Sequence, residues 1–509
     1  MRNKKLLILS GLIIIKFVFH YLLIDPVYDL HRDEYLHLDQ AKHLAWGFDS
    51  VPPVTSWISF VILKLGNGVF WIKFFPALFG ALTIVLVWKI AEALGGSLFP
   101  MFTAAVAVLL SAILRINILF QPNSFEVLCW TAFYYTLIRY IISEENKWLY
   151  ITAALIALGF LNKYNIVFVL LGLLPAVLLT SQRKLFLNKH FYFAILLALL
   201  IVLPNLIWQL QNNFPVIHHM KELERTQLVN VNRADFIKEQ FLYFLNSLLI
   251  LLIGFVSFFI YKPFKKFQLF FWGYVFTISL YIYLRAKGYY AIGLYPLLLA
   301  FGSVYIDHLL QNGWKRFLRP VVFLMQVLLI ITLIKIGFPT ESPEALQKKL
   351  PAYKKFGLLR WEDGNDHDLP QDFADMLGWS ELAAKVDSAY ATIADKEHTL
   401  VWCDNYGEAG AINYYSKFKN IDALTLNADY KDWIPINEKE IKNIVLVQAP
   451  DDDDPGRKRE RQFFKTVTNA GKIENKYARE YGTSIYLLLD ATTSINDILR
   501  KEITEKKAE

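Results

Sequence analysis

The chain has 509 residues, of which 55% are hydrophobic and 16% aromatic, with a mean hydropathy of +0.32. An ordinary globular domain is about 45–50% apolar, so this excess excludes a wholly soluble protein. The net charge of +7 comes from Lys and Arg residues scattered between apolar segments, a pattern typical of a membrane orientation signal rather than of a nucleic-acid partner.

The N-terminus, MRNKK followed by a long apolar run, predicts a retained signal anchor, because no small-residue cleavage site follows it. Runs of roughly 17–25 apolar residues can cross a bilayer as helices. About eleven such spans are predicted, all before residue 339. They lie near 6–24, 69–94, 98–114, 122–142, 148–161, 165–180, 190–208, 239–260, 268–284, 289–306 and 320–338.

The basic residues of the short loops indicate the orientation of the chain. Three clusters fall in alternate short loops, at 183–189, 262–266 and 315–319. The other loops, 25–68 and 209–238, are longer and carry both signs of charge. This pattern predicts a multi-pass protein of the bacterial inner (plasma) membrane with a cytoplasmic N-terminus. An odd number of spans then exports the C-terminal part to the periplasm or the cell exterior.

The chain is thus predicted to have two parts, a transmembrane domain at 1–338 and a soluble extracytoplasmic domain at 339–509. In the first outer loop, 25–68, helical spacing at 32–46 and an apolar run at 54–65 predict juxtamembrane helices. In the C-terminal part, strands are predicted at 399–403, 443–449 and 484–490, and helices near 379–395, 407–416 and 456–470. Alternating strands and helices indicate a small α/β domain.

An acidic pair, Asp33–Glu34, follows the first span within the string His31-Arg32-Asp33-Glu34-Tyr35. A carboxylate at the outer membrane surface can act as a general base on an acceptor hydroxyl. The alternative is a structural charge in the first turn of a juxtamembrane helix, which the helix dipole favours. The sequence alone leaves both interpretations open.

Several cations fall at the predicted outer ends of spans, among them Lys163, Arg285 and Lys287. They could hold an anionic lipid headgroup such as a phosphate, or simply extend their charges to the interface. His218 and His219, in the loop 209–238, could bind a metal or a sugar, or could belong to a solvated polar loop.

The chain has two cysteines, one in an apolar span and one in the C-terminal part, which excludes a disulfide framework.

The order of several segments resembles the family 39 glycosyltransferases of the GT-C class, which include protein O-mannosyltransferases and lipid A aminoarabinose transferases. The segments are RDEYLHLDQAKHLAWGFDSVPPVTSW, QPNSFEVLCWTAFYYTLIRY, LNKYN, LPNLIWQ, FPVIHH, RAKGYYAIGLYPLLLAFG and VWCDNYGEAGAINYY. The resemblance implies a GT-C type fold. It also implies transfer of a sugar from a polyprenyl-phosphate donor to a glycolipid, glycan or protein acceptor at the outer face of the bilayer.

The resemblance also implies roles for particular residues. Asp33 matches the essential acid of the family and would be the base, with Glu34 supporting it or contacting the acceptor. Lys163, Arg285 and Lys287 would stabilise negative charge on the leaving phosphate. Substrate contacts are further expected from side chains near these positions, namely His31, Arg32, Tyr289, His218, His219 and Glu126.

Two departures from the family pattern limit these expectations. Val51 precedes Pro52-Pro53, where relatives carry a His or a metal-proximal Glu. Because valine cannot ligate a metal, that metal site is not expected in this chain. No other cofactor is expected. Asn123 stands where other members often have Asp, which puts a second acidic contact in doubt although Glu126 is nearby. Two rival functions remain: a transporter or lipid flippase, and an oligosaccharide ligase that uses a diphosphate-linked donor.

Overall fold

The computed structural model describes residues 2–435 and 439–508. The chain forms two compact units. Unit 1 comprises residues 1–24, 46–55 and 65–340, and unit 2 comprises residues 25–45, 56–64 and 341–509. The residues just after the first apolar helix therefore fold together with the C-terminal part of the chain.

Unit 1 is built almost entirely from helices. The first, α1, spans Arg2–Leu22. Helices α2 (Arg32–Asp39) and α3 (Val54–Lys64) come next in the chain, and all of α2 and most of α3 belong to unit 2. The other α-helices of unit 1 follow in chain order. They are α4 (Val69–Ala93), α5 (Leu98–Leu109), α6 (Ala112–Ile116), α7 (Pro122–Ser143), α8 (Lys147–Asn162), α9 (Ile166–Leu179), α10 (Lys189–Gln211), α11 (Pro215–Thr226), α12 (Arg233–Leu242), α13 (Leu248–Ile260), α14 (Gln268–Tyr283), α15 (Tyr295–Leu309) and α16 (Arg319–Gly337).

Several of these helices are long and apolar enough to cross a membrane, and the chain is a multi-pass membrane protein. By length and composition, the described residues contain five such helices, or up to seven if two bent helix pairs each form one span. The five are Asn3–Leu22, Val69–Ala93, Lys189–Gln211, Gly288–Leu309 and Gly313–Gly337. Helices occupy the positions of the other predicted spans as well, but the predicted number of eleven stays a prediction.

Close helix packing in unit 1 depends on glycines at the contacts. A Cβ atom on Gly172 of α9 would lie 2.1 Å from the Thr277 Oγ1 atom of α14. A Cβ atom on Gly302 of α15 would lie 2.0 Å from the Ile250 carbonyl oxygen of α13. Small residues let helix backbones approach each other closely in a membrane. Any larger residue at either position would force the two helices apart.

Unit 2 contains the strands and the remaining helices of the chain. The helices are α17 (Pro343–Leu346), α18 (Leu350–Lys355), α19 (Gln371–Ala374), α20 (Trp379–Ala391), α21 (Tyr406–Tyr415) and α22 (Ile495–Ala508). The strands are β1 (Thr399–Cys403), β2 (Ala423–Leu424), β3 (Asn443–Gln448), β4 (Phe464–Lys472) and β5 (Ser484–Ala491). They form one sheet of order β2-β1-β3-β5-β4, in which β1 pairs in parallel with β2 and β3 while β5 is antiparallel to β3 and β4.

The three predicted strands of the C-terminal part are confirmed, and so are the helices predicted near 379–395 and 407–416. The helix predicted near 456–470 is wrong, because Phe464–Lys472 forms the edge strand β4. The charged run before it favours a helix by propensity alone. The segment FKTVTNAGK instead pairs with the apolar strand β5, and this long-range pairing overrides the local preference.

Candidate active site

Helix α2 begins with a capping box that fixes the first turn around Asp33. The His31 Nδ1 atom accepts a hydrogen bond from the Asp33 backbone N–H at 3.2 Å. The Glu34 carboxylate in turn accepts one from the His31 backbone N–H at 2.7 Å. This reciprocal pair satisfies two backbone donors that the helix start would otherwise leave without partners. The orientation of the Asp33 side chain therefore rests on a rigid turn.

Glu34 and Asp33 have different surroundings although they are neighbours in sequence. Glu34 is completely buried, whereas the Asp33 side chain is 39% exposed. Glu34 thus has the structural role at a helix start that the sequence had left open for the pair. Its predicted catalytic role stays a prediction. Asp33 is the member of the pair whose carboxylate is open to solvent.

The Asp33 carboxylate contacts a residue that follows it by 373 positions in the sequence. The Tyr406 hydroxyl donates a hydrogen bond to the Asp33 Oδ1 atom at 2.7 Å. The Arg32 guanidinium lies over the Tyr406 ring, 4.4 Å from its centroid. On the other side, the His31 Nδ1 atom is 3.9 Å from the Asp33 Oδ2 atom. A phenol and an imidazole therefore lie beside the carboxylate, and a guanidinium stacks on the phenol ring.

These neighbours keep Asp33 ionised. Burial opposes the charge, but the neighbouring His31 side chain, the hydrogen bond from Tyr406 and the Arg32 guanidinium together lower the pKa of Asp33 below the value of a free aspartate. Asp33 is consequently a carboxylate at neutral pH. It can accept a hydrogen bond or a proton, and it cannot donate one.

Arg32 also interacts with two buried carboxylates, those of Asp375 and Glu480. The Asp375 carboxylate is bound by Arg479 at 3.0 Å and lies 3.7 Å from the His31 Nε2 atom. Burial opposes the charge of Arg32. Its pKa is nevertheless raised above its ordinary value by the surrounding side chains of Tyr406, Asp375, Glu480 and Asp33.

Local sequence explains how Tyr406 reaches Asp33. Helix α21 starts with a second capping box, in which Asn405 accepts hydrogen bonds from the Gly407 and Glu408 N–H groups and Glu408 binds the Asn405 N–H. Burial and the carboxylates of Glu480 and Asp404 raise the pKa of Glu408 well above its ordinary value. The box fixes Tyr406 as the first residue of the helix.

Two glycines let helices α2 and α21 pack closely enough for this hydrogen bond. A Cβ atom on Gly407 would lie 2.8 Å from the Arg32 Cγ atom, and one on Gly410 would lie 2.6 Å from the Tyr35 Cβ atom. Tyr35 is completely buried at this contact. The glycines are one helical turn apart and so face the same neighbour.

Unit 1 brings together a different set of the predicted residues. The Lys163 amine donates to the Asn123 Oδ1 atom at 2.7 Å and to the Glu126 carboxylate at 3.2 Å. It also lies over the rings of Tyr289 and Tyr290, at 5.3 and 4.7 Å from their centroids. Lys163 therefore contacts both Glu126 and Tyr289, although all three were predicted separately as substrate contacts.

The other predicted cations have different recorded side-chain partners. The Lys287 amine donates to the Gln227 Oε1 atom at 2.7 Å, and the exposed Arg285 reaches the Val229 carbonyl oxygen at 3.4 Å. His218 and His219 lie on helix α11, none of whose residues is buried. Their predicted substrate contacts stay predictions.

No group of three or more His, Cys, Asp or Glu side chains that could hold a metal ion occurs within residues 2–435 and 439–508. The two cysteines, Cys129 and Cys403, are both buried and unpaired with each other. The expectation that the site works without a metal or another cofactor stays a prediction.

Comparison with known proteins gives one match to a protein family and one to a curated relative. A model of the family described as dolichyl-phosphate-mannose-protein mannosyltransferase matches residues 50–208. The lipid A galacturonosyltransferase RgtD of Rhizobium johnstonii is 23% identical over 209 residues. That match covers 40% of this chain and 43% of RgtD, so the chain spans less than half the length of this relative.

Two crystal structures of ArnT from Cupriavidus metallidurans, one bound to undecaprenyl phosphate and one in the apo state, share the fold. Both give a TM-score of 0.61 at 11% sequence identity and cover 94% of this chain and 97% of ArnT. The chain therefore has the fold of a GT-C membrane protein. The resemblance seen in the sequence is confirmed, since the family model, the relative and the fold together support a family 39-like glycosyltransferase.

Proposed function

We propose that the chain transfers a sugar from a polyprenyl-phosphate donor to a hydroxyl group of a glycolipid, glycan or protein acceptor. The observation that carries the proposal is the ionised, partly exposed Asp33 carboxylate, which has the Tyr406 hydroxyl and the His31 imidazole beside it and the Arg32 guanidinium stacked on the Tyr406 ring. The relatives named above support a lipid-linked donor. The proposed location is the outer face of the bacterial inner membrane, with the N-terminus in the cytoplasm.

In the proposed reaction, the bond between the sugar anomeric carbon and the donor phosphate oxygen breaks. A bond forms between that carbon and the acceptor oxygen. The acceptor proton passes to Asp33, and polyprenyl phosphate leaves with both electrons of the broken bond. A carboxylate of low pKa is a weak base, so it suits a step in which positive charge has already developed on the sugar and acidified the attacking hydroxyl.

The donor class can be tested with the purified full-length protein in lipid nanodiscs. Radiolabelled galacturonic acid linked to undecaprenyl monophosphate or diphosphate would be supplied with one of three acceptors: lipid A, a core oligosaccharide or a peptide rich in serine and threonine. We expect label to move from the monophosphate donor to one acceptor, with release of undecaprenyl phosphate. Transfer from the diphosphate donor alone would instead assign the chain to the oligosaccharide ligases.

The hydrogen bond from Tyr406 predicts a change in the pH dependence of transfer. Replacing Tyr406→Phe removes one group that stabilises the Asp33 carboxylate, so the pKa of Asp33 should rise. Because only the carboxylate can accept the proton, the acid limb of the kcat/KM profile should move to higher pH. Tyr481→Phe is the matched control, since Tyr481 is 49% exposed in the same unit. An acid limb at the same pH in Tyr406→Phe and wild type would contradict the proposed pairing.

A further inference from the structure

A cleft of about 360 Å³ opens in unit 1, and none of the candidate-site residues described above lines it. Its lining comes from the last turns of helices α4 and α7, through the residues Lys89, Glu92, Ala93, Tyr135, Arg139 and Ile142. Lys5, near the start of helix α1, reaches the same place and binds Glu92 at 3.0 Å. The cleft therefore lies at the same side of the helices as the N-terminus of the chain.

Cations outnumber anions around this cleft. Lys5 and Lys89 both bind the single carboxylate of Glu92, at 3.0 and 2.9 Å. Arg139 adds a third positive charge, and among residues 2–435 and 439–508 no carboxylate pairs with it. Three cations facing one carboxylate leave the cleft with an excess of two positive charges.

The guanidinium of Arg139 is held in place, and only one of its N–H donors has a hydrogen-bond partner among the described residues. It lies 4.6 Å from the centroid of the Trp148 ring, and its Nη1 atom donates to the Tyr135 hydroxyl at 3.2 Å. A guanidinium has five N–H donors in a planar fork that fits two oxygens of a phosphate. Stacking on an aromatic ring orders this fork in advance and lowers the entropy lost when an anion binds.

The surroundings of the cleft suit a lipid rather than a soluble anion. Ile142 lines the cleft with 40% of its surface exposed, so an accessible apolar side chain lies beside the cations. Basic pockets between transmembrane helices are known to hold the headgroups of anionic lipids. We propose that this cleft binds the phosphate of an anionic phospholipid from the leaflet on the N-terminal side of the membrane. In this proposal the Arg139 guanidinium binds the phosphate, and the positive charges of Lys5 and Lys89 attract it.

Binding can be measured by native mass spectrometry of the full-length protein in a non-ionic detergent. The probes are phosphatidylglycerol, phosphatidylcholine and inorganic phosphate, each added separately. We expect phosphatidylglycerol to bind, and Arg139→Gln to weaken one binding event about fivefold or more. Arg316→Gln is the matched control, because Arg316 is an exposed arginine that stacks on Phe317, 5.1 Å away, and lies outside the cleft.

Each outcome decides the proposal. Equal phosphatidylglycerol occupancy in wild type and Arg139→Gln would overturn it, and so would equal occupancy by phosphatidylcholine. Binding of inorganic phosphate as strong as that of phosphatidylglycerol would assign the cleft to a soluble anion instead. If Arg139→Gln fails to fold, Arg139→Lys keeps the charge but loses the planar fork and should bind with intermediate affinity. Wild-type affinity in that variant would contradict the role given to the fork.

Discussion

Replacing Asp33→Asn is expected to lower the turnover of sugar transfer by about 10²–10⁴-fold, the usual contribution of a general base. Asparagine keeps the size of the side chain and can still accept the hydrogen bond from Tyr406. It cannot accept a proton at neutral pH, so the attacking hydroxyl loses its base. Initial rates at saturating donor, measured with the acceptor that proves active, would give this ratio directly.

The matched control for this variant is Asp25→Asn. Asp25 lies in the same segment of unit 2, and its carboxylate accepts a local hydrogen bond from the Val27 N–H at 3.0 Å. Its rate should equal that of the wild type. A normal rate in Asp33→Asn would remove Asp33 from the mechanism. A loss of thermal stability in that variant beyond that of the control would instead point to a structural role for the carboxylate.

The position of Asp33 could be predicted because its signals are local. An acidic residue soon after an apolar span, within a short amphipathic segment, identifies a helix start beside a membrane. The capping function of Glu34 follows from the same three-residue spacing. Strands β1, β3 and β5 were equally predictable, since each is a short apolar run with β-branched residues.

The partners of Asp33 could not be predicted, because they depend on contacts across most of the chain. Tyr406 is 373 positions away from Asp33, and no periodicity in either segment indicates that they meet. One local signal was present, however. The string Asn405-Tyr406-Gly407-Glu408 has the spacing of a capping box. It predicts a helix that starts at Tyr406, although not what that helix packs against.

The pairing of Lys163 with Glu126 shows a related limit. Both residues were singled out from the sequence, one as a cation at the outer end of a span and one as a substitute for a missing acid. They lie on different helices, and whether two such side chains face each other depends on how the helices are rotated. That rotation is decided by packing over whole helix faces, which a single sequence does not specify residue by residue.

This pairing gives the second large expected effect, on stability rather than on turnover. Replacing Lys163→Met should destabilise unit 1 by about 3–5 kcal/mol, because it leaves the Glu126 carboxylate buried without its cation. The Glu126 side chain is 5% exposed, and its only other hydrogen bond recorded among the described residues comes from the Asn165 amide at 2.8 Å. Equilibrium unfolding of the purified protein in detergent would measure the loss.

Two comparisons separate charge burial from simple loss of a side chain. The double variant Glu126→Gln with Lys163→Met removes both charges and should recover most of the lost stability, as expected when a buried ion pair is replaced as a unit. Lys184→Met breaks the ion pair with Glu144, in which the two side chains are 57% and 67% exposed. This surface pair should contribute little to stability. Similar losses in Lys163→Met and Lys184→Met, with no recovery in the double variant, would mean that Lys163 does not neutralise a buried carboxylate.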